Sequence, residues 1–275
     1  MTINCNGDLI SFDSLKVMGI LNLTPDSFYD GGKYKKEAEV FAQTEKMLAE
    51  GATFIDLGGY SSRPGAEEIS EADELNRILP IVEKLISRFP KIVLSIDTFR
   101  SRVAKESVLA GAAMVNDISA GNLDANMLPT IAELQVPYCM MHMRGTPKTM
   151  QNLTNYENLI VDIMFYFSGK IEEAKNLGIN DLIIDPGFGF SKLPAQGFEI
   201  LKQLELFTNL ELPILVGLSR KSMIYKTLET NAANALNGTS ILHTIALQNG
   251  ANILRAHDVK EAMECIHILE FIGDR

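Results

Sequence analysis

The sequence predicts an α/β fold in which eight βα units close into a (β/α)8 TIM barrel. Short runs rich in Val, Ile, Leu and Met recur along the chain, and helical stretches separate them. Eight such units in about 250 residues match the usual size of this barrel. An open, doubly wound sheet is the alternative, but no GxGxxG motif follows the first predicted strand.

The eight apolar runs are the predicted strands. They are mostly continuous rather than alternating with polar residues, which is typical of parallel strands that are buried on both faces. The runs cover residues 16–21, 53–58, 91–97, 113–118, 136–143, 181–187, 213–219 and 251–257. Before them, Asn6-Gly7 between apolar residues predicts a short N-terminal β-hairpin over 3–13. We place this hairpin as a cap on the barrel bottom.

An apolar helical face, capping residues and C′ glycines predict the helices between the strands. Residues 35–50 place apolar side chains mainly on one helical face. Ser70 and Asp73 predict a capping box at the start of the next helix, in which Pro80 predicts a kink or a break. Asp258 and Glu261 predict a similar cap for the last helix. Glycines after four helical stretches have the position of a C′ residue: Gly51, Gly111, Gly178 and Gly250.

Composition and charge limit the possible function classes. The chain has 275 residues, of which 46% are hydrophobic and 22% charged, and these values exclude a disordered chain. We find no linker and expect a single domain over residues 1–275. The net charge of −10 argues against nucleic acid and anionic membranes as partners. An anionic substrate would therefore need a locally basic pocket.

Cysteine usage and the apolar pattern predict the compartment. Cys5, Cys139 and Cys265 are an odd number and have no CxxC spacing, so a reducing environment is the simplest interpretation. The N-terminal segment lacks the pattern of a signal peptide, and no apolar run approaches about 18 residues. We expect a cytoplasmic protein without a membrane partner.

Polar residues stand at every predicted strand end, where barrels of this kind carry their active sites. They are Asn22, Asp56, Asp97, Asn116, His142, Asp185, Ser219 with Lys221, and Arg255 with His257. Each carboxylate or amide alone could equally cap a turn, and Asp56, which Gly58 and Gly59 follow, is closest to that interpretation. Lys221 and Arg255 need a partner, because a buried charge is costly when it is unpaired.

The histidines leave two interpretations open. His142 lies among methionines and is as compatible with a buried structural role as with a functional one, whereas His243 and His267 lie in helical stretches and are structural. Two loops, 23–32 and 58–68, are rich in Gly, Pro and Ser and exceed the usual length of about 2–6 residues. We interpret them as mobile active-site loops.

Nine segments carry motifs of a known family, in the family's order. They are MGILNLTPDSFYDGG (18–32), GGYSSRPGAEE (58–68), IDTFRSRVA (96–104), VNDISAG (115–121), MHMRGTPKTMQ (141–151), DPGFGFSK (185–192), GLSRKSMI (217–224), NGTS (237–240) and LRAHDV (254–259). Together they resemble dihydropteroate synthases over nearly the whole chain. The second motif departs from the family's usual form, because Tyr60 and Ser62 stand where Glu and Thr are common.

The resemblance implies a reaction and a site. Such enzymes condense 6-hydroxymethyl-7,8-dihydropterin diphosphate with p-aminobenzoate to 7,8-dihydropteroate and pyrophosphate in folate biosynthesis. They are Mg²⁺-dependent, usually homodimeric, and targets of sulfonamides. The resemblance assigns catalytic roles to Asp97, Lys221 and Arg255. It assigns the pterin to Asp97, Asn116, Met141, Asp185, Gly217, Lys221 and Arg255. It assigns the diphosphate to Asn22, Arg255 and His257, Mg²⁺ to Asn22, and p-aminobenzoate to Phe28, Ser62, Arg63, Pro64, Phe190, Ser219 and Lys221.

Residue chemistry agrees with these roles. A carboxylate such as Asp185 can accept two N–H hydrogen bonds from a pterin edge as a fork, and Asn116 can both donate and accept. The amide oxygen of Asn22 is a hard ligand that suits Mg²⁺. Two rivals remain. A methyltetrahydrofolate–corrinoid methyltransferase would share the pterin residues but has no use for a diphosphate site. A degenerate barrel with a binding or regulatory role would not need Asn22, Lys221 and Arg255, which are all present.

Overall fold

The computed structural model of the chain describes residues 1–23, 33–61 and 68–273. In these residues the strands are β1 Thr2–Cys5, β2 Asp8–Ser11, β3 Lys16–Asn22, β4 Phe54–Gly58, β5 Leu94–Asp97, β6 Met114–Asp117, β7 Tyr138–Met141, β8 Leu182–Asp185, β9 Leu215–Val216 and β10 Ile253–Ala256. The α-helices are α1 Lys33–Ala49, α2 Glu71–Arg88, α3 Ser101–Leu109, α4 Met127–Leu134, α5 Leu159–Asn176, α6 Pro194–Lys202, α7 Ser222–Thr227, α8 Leu236–Gln248 and α9 Val259–Ile272.

Strands β3 to β10 form one parallel sheet that closes on itself. Its strand order is β8-β7-β6-β5-β4-β3-β10-β9, so the last strand pairs with β3, the first of the barrel. The two ends of this order meet at a single bridge between Ile184 and Ile214, where Ile184 N–H donates to the Pro213 carbonyl at 3.0 Å. The predicted (β/α)8 barrel is therefore confirmed, and the open sheet is excluded.

All eight predicted strands are present, but some are shorter than predicted. The run 136–143 pairs only over Tyr138–Met141, and the run 213–219 only over Leu215–Val216. Beyond Val216 the chain already turns, since Lys221 N–H donates to the Leu218 carbonyl at 3.1 Å. The predicted strands were too long because the apolar runs also include residues that are buried but do not belong to a strand.

The N-terminal segment closes the floor of the barrel. Strands β1 and β2 pair antiparallel around Asn6 and Gly7, which both have positive φ angles, as a tight hairpin turn requires. Ile3, Cys5 and Phe12 pack against the lowest interior layer of the barrel, which consists of Met18, Phe54, Ala113, Met114, Cys139, Ile183, Leu215 and Ile253. The predicted hairpin and its capping position are confirmed. The three cysteines are buried and unpaired.

The predicted helix signals give mixed outcomes. The capping box of Ser70 and Asp73 is present at the start of α2. The prediction of a break at Pro80 is wrong, because α2 runs unbroken through it. A proline removes one helical hydrogen bond, and the buried face of this helix offsets that loss by packing. The four glycines after α1, α3, α5 and α8 all have positive φ angles, as C′ residues do.

The predicted cap of the last helix is also wrong. Asp258 stands at the N-cap position of α9, but its side chain makes no capping hydrogen bond. Its carboxylate instead accepts two hydrogen bonds from the Arg220 guanidinium, from Nε at 2.8 Å and from Nη2 at 3.0 Å. A bidentate charged pair is stronger than a neutral capping bond.

None of the helices in the described part of the chain combines the length and the apolar character that a bilayer crossing requires.

Candidate active site at the carboxyl ends of the strands

Arg255 joins two carboxylates inside the upper part of the barrel. Its Nε donates to Asp56 Oδ2 at 2.7 Å, and its Nη2 donates to Asp97 Oδ2 at 2.6 Å. Asn116 also donates to Asp56 Oδ2, from Nδ2 at 2.9 Å. Residues from β4, β5, β6 and β10 thus form one hydrogen-bonded group, as the polar strand ends predict.

Asp56 corrects the sequence interpretation. It is fully buried and binds Arg255 and Asn116, so it does not serve the following turn. Its other oxygen, Oδ1, has no hydrogen-bond partner in the structure. The signal in the sequence was the position of Asp56 inside the apolar run 53–58. Such a residue faces the barrel interior and needs a partner.

Burial and charge act in opposite directions in this group. Burial raises the pKa of Asp97 to about 7, although the neighbouring Arg255 acts to lower it. Burial alone would lower the pKa of Arg255, but Asp56 and Asp97 reverse that effect and raise it above its ordinary value. The guanidinium therefore stays charged, while Asp97 can take up a proton near neutral pH.

Asp185 and Lys221 face each other across Gly217. A Cβ atom at Gly217 would lie 3.8 Å from Lys221 Nζ and 3.9 Å from Asp185 Oδ2. Gly187 N–H donates to the other oxygen, Asp185 Oδ1, at 2.8 Å. The missing side chain thus leaves a space between a carboxylate and an ammonium group. This combination suits a flat ligand that has both donors and acceptors on its edge.

Two further contacts set the properties of Lys221. Its Nζ donates to the Phe188 carbonyl and lies 4.7 Å from the centre of the Phe190 ring. Burial lowers the pKa of Lys221 to about 8, against the opposing influence of Asp185. Burial likewise raises the pKa of Asp185, and Lys221 opposes that shift.

Ser219 and His257 form a polar pair beside this space. Ser219 Oγ lies 2.9 Å from His257 Nδ1 and accepts the His257 backbone N–H at 3.2 Å. Arg220 follows Ser219 in the sequence and has a φ angle of 55°, and its side chain is held by a hydrogen bond to Asp258. Helix α7 begins only at Ser222, so Ser219 precedes its first turn.

An apolar wall completes the described part of the site. Met141, Ile118, Met143 and Met150 form a buried cluster, against which Phe99, Leu123 and Phe190 pack. His142, beside this wall, is buried, and its Nδ1 lies 2.8 Å from Lys192 Nζ. This contact gives His142 a structural partner. His243 is buried in α8, and His267 is exposed on α9, so both histidines lie in helices, as predicted.

Asn22 supplies an oxygen at the rim. A Cβ atom at Gly58 would lie 3.5 Å from Asn22 Oδ1 and 3.7 Å from Asp97 Oδ2. Across residues 1–23, 33–61 and 68–273, no group of three or more His, Cys, Asp or Glu side chains could hold a metal ion. Asn22 Oδ1 and Asp97 Oδ2 are oxygen donors of the kind that Mg²⁺ prefers, so these two residues fit such an ion.

Part of the predicted second-substrate site lies outside the described residues, namely Phe28, Ser62, Arg63 and Pro64. Most residues of the predicted loops 23–32 and 58–68 also lie outside the described residues. Tyr60 is described, and its ring packs edge-on against Phe99 at 5.2 Å between ring centres. The Arg100 guanidinium lies 5.5 Å from the centre of the Tyr60 ring. Tyr60 stands at the motif position where the resembled family commonly has Glu.

Comparisons with known proteins find relatives of nearly the whole chain. Residues 18–257 match the family model described as pterin binding enzyme. Dihydropteroate synthase of Escherichia coli strain K12 is 40% identical over 272 residues, which cover 98% of this chain and 96% of that protein. A solved dihydropteroate synthase of Yersinia pestis, in complex with a sulfonamide drug, has a TM-score of 0.93 and 42% identity, with full coverage of both chains. The Xanthomonas albilineans enzyme with 4-aminobenzoic acid has a TM-score of 0.92 and 34% identity, and the match covers 99% of this chain and 98% of that one.

Proposed function

The chain belongs to the dihydropteroate synthase family of pterin-binding enzymes, transferases of folate synthesis, and from this membership we propose how its own residues perform the reaction. The substrates are 6-hydroxymethyl-7,8-dihydropterin diphosphate and p-aminobenzoate. The products are 7,8-dihydropteroate and pyrophosphate. The observation that carries this proposal is the pair of Asp185 and Lys221 on either side of the space at Gly217.

The pterin lies between this pair. Asp185 Oδ2 accepts hydrogen bonds from the amino group and the neighbouring ring N–H, and Lys221 donates to the oxo side. Asn116 and Asp97 meet the remaining edge from two adjacent strands, on which they are direct register partners. Met141 packs against one face of the ring, while the Arg255 guanidinium lies across the other.

The diphosphate lies at the rim beside Asn22. Arg255 and His257 supply N–H groups and positive charge to its oxygens. Mg²⁺ bound by Asn22 Oδ1, phosphate oxygens and water would neutralise charge on the leaving group. The proximity of Asn22 Oδ1 and Asp97 Oδ2 on either side of Gly58 supports this role.

The reaction exchanges one bond at the methylene carbon. The C–O bond to the diphosphate breaks, the amine nitrogen of p-aminobenzoate forms the new C–N bond, and the amine loses a proton. Positive charge develops on the pterin as the leaving group departs, and the ionised Asp97 stabilises it. Arg255 keeps part of the Asp97 population ionised at neutral pH, because it opposes the effect of burial.

The second substrate lies against Ser219, Lys221 and Phe190. The Ser219 hydroxyl donates to its carboxylate, and Phe190 packs against its ring. Phe28, Ser62, Arg63 and Pro64 complete this subsite in the proposal. The related structures that hold 4-aminobenzoic acid and a sulfonamide drug support it, and we propose the same subsite as the target of sulfonamides.

Pyrophosphate release tests the proposed function. We expect release only when the pterin diphosphate, p-aminobenzoate and Mg²⁺ are present together, and a strong reduction in excess chelator. Turnover that persists unchanged in chelator would contradict the role of Mg²⁺. Transfer of a methyl group from methyltetrahydrofolate to a corrinoid, without pyrophosphate release, would favour the methyltransferase alternative.

Pterin affinity is expected to fall as the pH rises through about 8. The pKa of Lys221 lies at about 8, so its ammonium form is lost in that range, together with a charged hydrogen bond to the oxo group. Calorimetric titration with 6-hydroxymethylpterin at pH 6.5 and 9.5 measures this change. A Lys221→Arg variant stays charged throughout, and its affinity should vary less between the two pH values. Equal affinities of the wild type at both values would contradict the role of Lys221.

We further propose that two copies of the chain form a dimer across α8 and α9. These neighbouring helices expose large apolar side chains to solvent: Ile241 and Ile245 on α8, and Ile268, Phe271 and Ile272 on α9. Spacings of three and four residues place the members of each set on one face of their helix. Large exposed apolar patches mark association surfaces.

The Phe271→Asp variant is expected to be monomeric at concentrations where the wild type is a dimer. Phe271 is 95% exposed, so the change should not unfold the chain. Sedimentation velocity measures the difference. Phe165→Asp is the matched control, since Phe165 on α5 is 80% exposed but lies away from this face. Dissociation of both variants, or of neither, would contradict the proposed interface.

We propose the cytoplasm as the compartment, because the three cysteines are buried and unpaired. Cell fractionation tests this assignment, which recovery in an oxidising compartment would overturn.

A further inference from the structure

The ammonium group of Lys192 is enclosed by backbone carbonyls beneath the proposed pterin site. The side chain is almost fully buried, with 3% of the residue exposed. Nζ donates to the carbonyls of Gly187 and Phe190, each at 3.0 Å, and to the carbonyl of His142 at 3.2 Å. It also lies 2.8 Å from His142 Nδ1. These acceptors come from two different loops, which follow β7 and β8.

The loop after β8 has an unusual backbone. Gly187, Gly189 and Ser191 all have positive φ angles, of 73°, 79° and 48°. A Cβ atom at Gly187 would lie 2.2 Å from the His142 carbonyl oxygen, so only glycine allows the two loops to approach this closely. Several carbonyl oxygens that point to one place repel each other, and a cation at that place removes the repulsion.

The same loop carries groups of the proposed pterin site. Gly187 N–H orients Asp185, the Phe188 carbonyl accepts from Lys221, and the Phe190 ring lies beside the Lys221 ammonium. A shift of this loop would therefore move Asp185 and Lys221 relative to each other. These two side chains must flank one flat ring.

We infer that Lys192 is a positioning residue for the pterin site: its ammonium group clamps the loop 186–191 onto His142 and so sets the separation of Asp185 and Lys221. Lys192 itself has no donor left for the substrate, because its ammonium group donates to the carbonyls of Gly187, Phe190 and His142. The inference rests on the proposed function, since it concerns the pterin site named there. Burial lowers the pKa of Lys192 well below its usual value, and the nearby Asp185 opposes this effect.

A Lys192→Met variant tests this role. It keeps an unbranched stem of four heavy atoms but removes the ammonium group, and we expect at least about tenfold weaker binding of 6-hydroxymethylpterin by calorimetry. Near-ultraviolet circular dichroism and the thermal midpoint establish that the titrated protein is folded. A purely structural role would lower the midpoint and leave the affinity of the folded protein unchanged.

Tyr156→Phe is the matched control. The Tyr156 hydroxyl donates to the Ser191 carbonyl at 3.0 Å, so this variant also loses a hydrogen bond to the loop, but not one made by Lys192. We expect its pterin affinity to stay within about twofold of the wild type. An equal loss in both variants would overturn the inference, because any loosening of the loop would then have the same effect.

The outcomes separate this inference from the proposed function. If the wild-type protein does not bind 6-hydroxymethylpterin, the proposed function fails and the inference falls with it. If the wild type binds and folded Lys192→Met binds equally well, only the inference fails. Should Lys192→Met not fold, Lys192→Gln retains two N–H donors for the carbonyls and is titrated under the same criteria.

Discussion

The Arg255→Met variant is expected to lose about 3 kcal/mol of unfolding free energy at pH 8, together with nearly all synthase activity. The change leaves the buried Asp56 and the largely buried Asp97 without the cation that joins them. Removal of one partner from a buried ion pair is costly because the remaining charge has no compensation. Urea unfolding followed by circular dichroism measures the stability.

The pH dependence of this loss has a definite sign. The pKa of Asp97 is raised to about 7 in the folded chain, above the 3.8 of an ordinary aspartate, so proton uptake stabilises the fold at low pH. This stabilisation is lost as the pH rises through about 7. Without Arg255 the pKa of Asp97 must rise further, so Asp97 in the variant is protonated at pH 5. The loss of unfolding free energy in the variant should therefore be smaller at pH 5 than at pH 8. A deficit that grows on acidification would contradict the ion-pair network.

Arg88→Met is the matched control for Arg255→Met. Arg88 lies on the surface of α2, is half exposed, and pairs with Glu45 at 3.9 Å. Exposed pairs of this kind contribute little, so we expect a change below about 1 kcal/mol. A comparable loss in both variants would show that the interior position of Arg255 is unimportant.

The Asp185→Asn variant is expected to bind the pterin diphosphate at least about tenfold more weakly. The amide replaces one acceptor oxygen by a donor, so a charged hydrogen bond of about 1.5–3 kcal/mol is lost. Gly187 N–H already occupies Oδ1, which leaves Oδ2 as the oxygen on the side of the pterin space. Calorimetric titration of the diphosphate in the presence of Mg²⁺ measures the loss.

Asp181→Asn is the matched control for Asp185→Asn. Asp181 precedes the same strand at its other end, where Oδ2 accepts the Asn4 N–H at 3.0 Å. The same chemical change at the barrel floor should leave pterin affinity unaltered. Wild-type affinity in Asp185→Asn would remove this carboxylate from the proposed pterin site.

The sequence predicted the barrel and most of the polar ring because both depend on local patterns. Continuous apolar runs, C′ glycines and the Asn6-Gly7 turn are signals within a few residues of the feature they specify. The polar residue at each strand end could be placed at one rim because parallel strands all point their carboxyl ends to the same side.

Partners that are distant in the sequence could not be predicted in this way. Asp56 and Arg255 are 199 residues apart, so the apolar run around Asp56 indicates that the carboxylate is buried but cannot identify its partner. Asp258 has the sequence context of a capping residue, yet Arg220 from another loop binds it. The environment of Lys192 consists mainly of carbonyl groups, whose directions depend on backbone angles and not on residue type.

The closure of the barrel has a consequence for which ligands the site can admit. Strands β3 and β4 pair over five residues, whereas β8 and β9 meet at a single bridge, Ile184 with Ile214. Asp185 and Gly217 lie directly beyond this seam, one on each side. Local opening costs least where fewest hydrogen bonds must break, so we expect amide exchange to be faster along the seam than in β3 and β4. Strand pairing contributes little at this seam, so we expect the loop contacts of Lys192, more than the sheet itself, to limit the size of the ring that fits between Asp185 and Lys221.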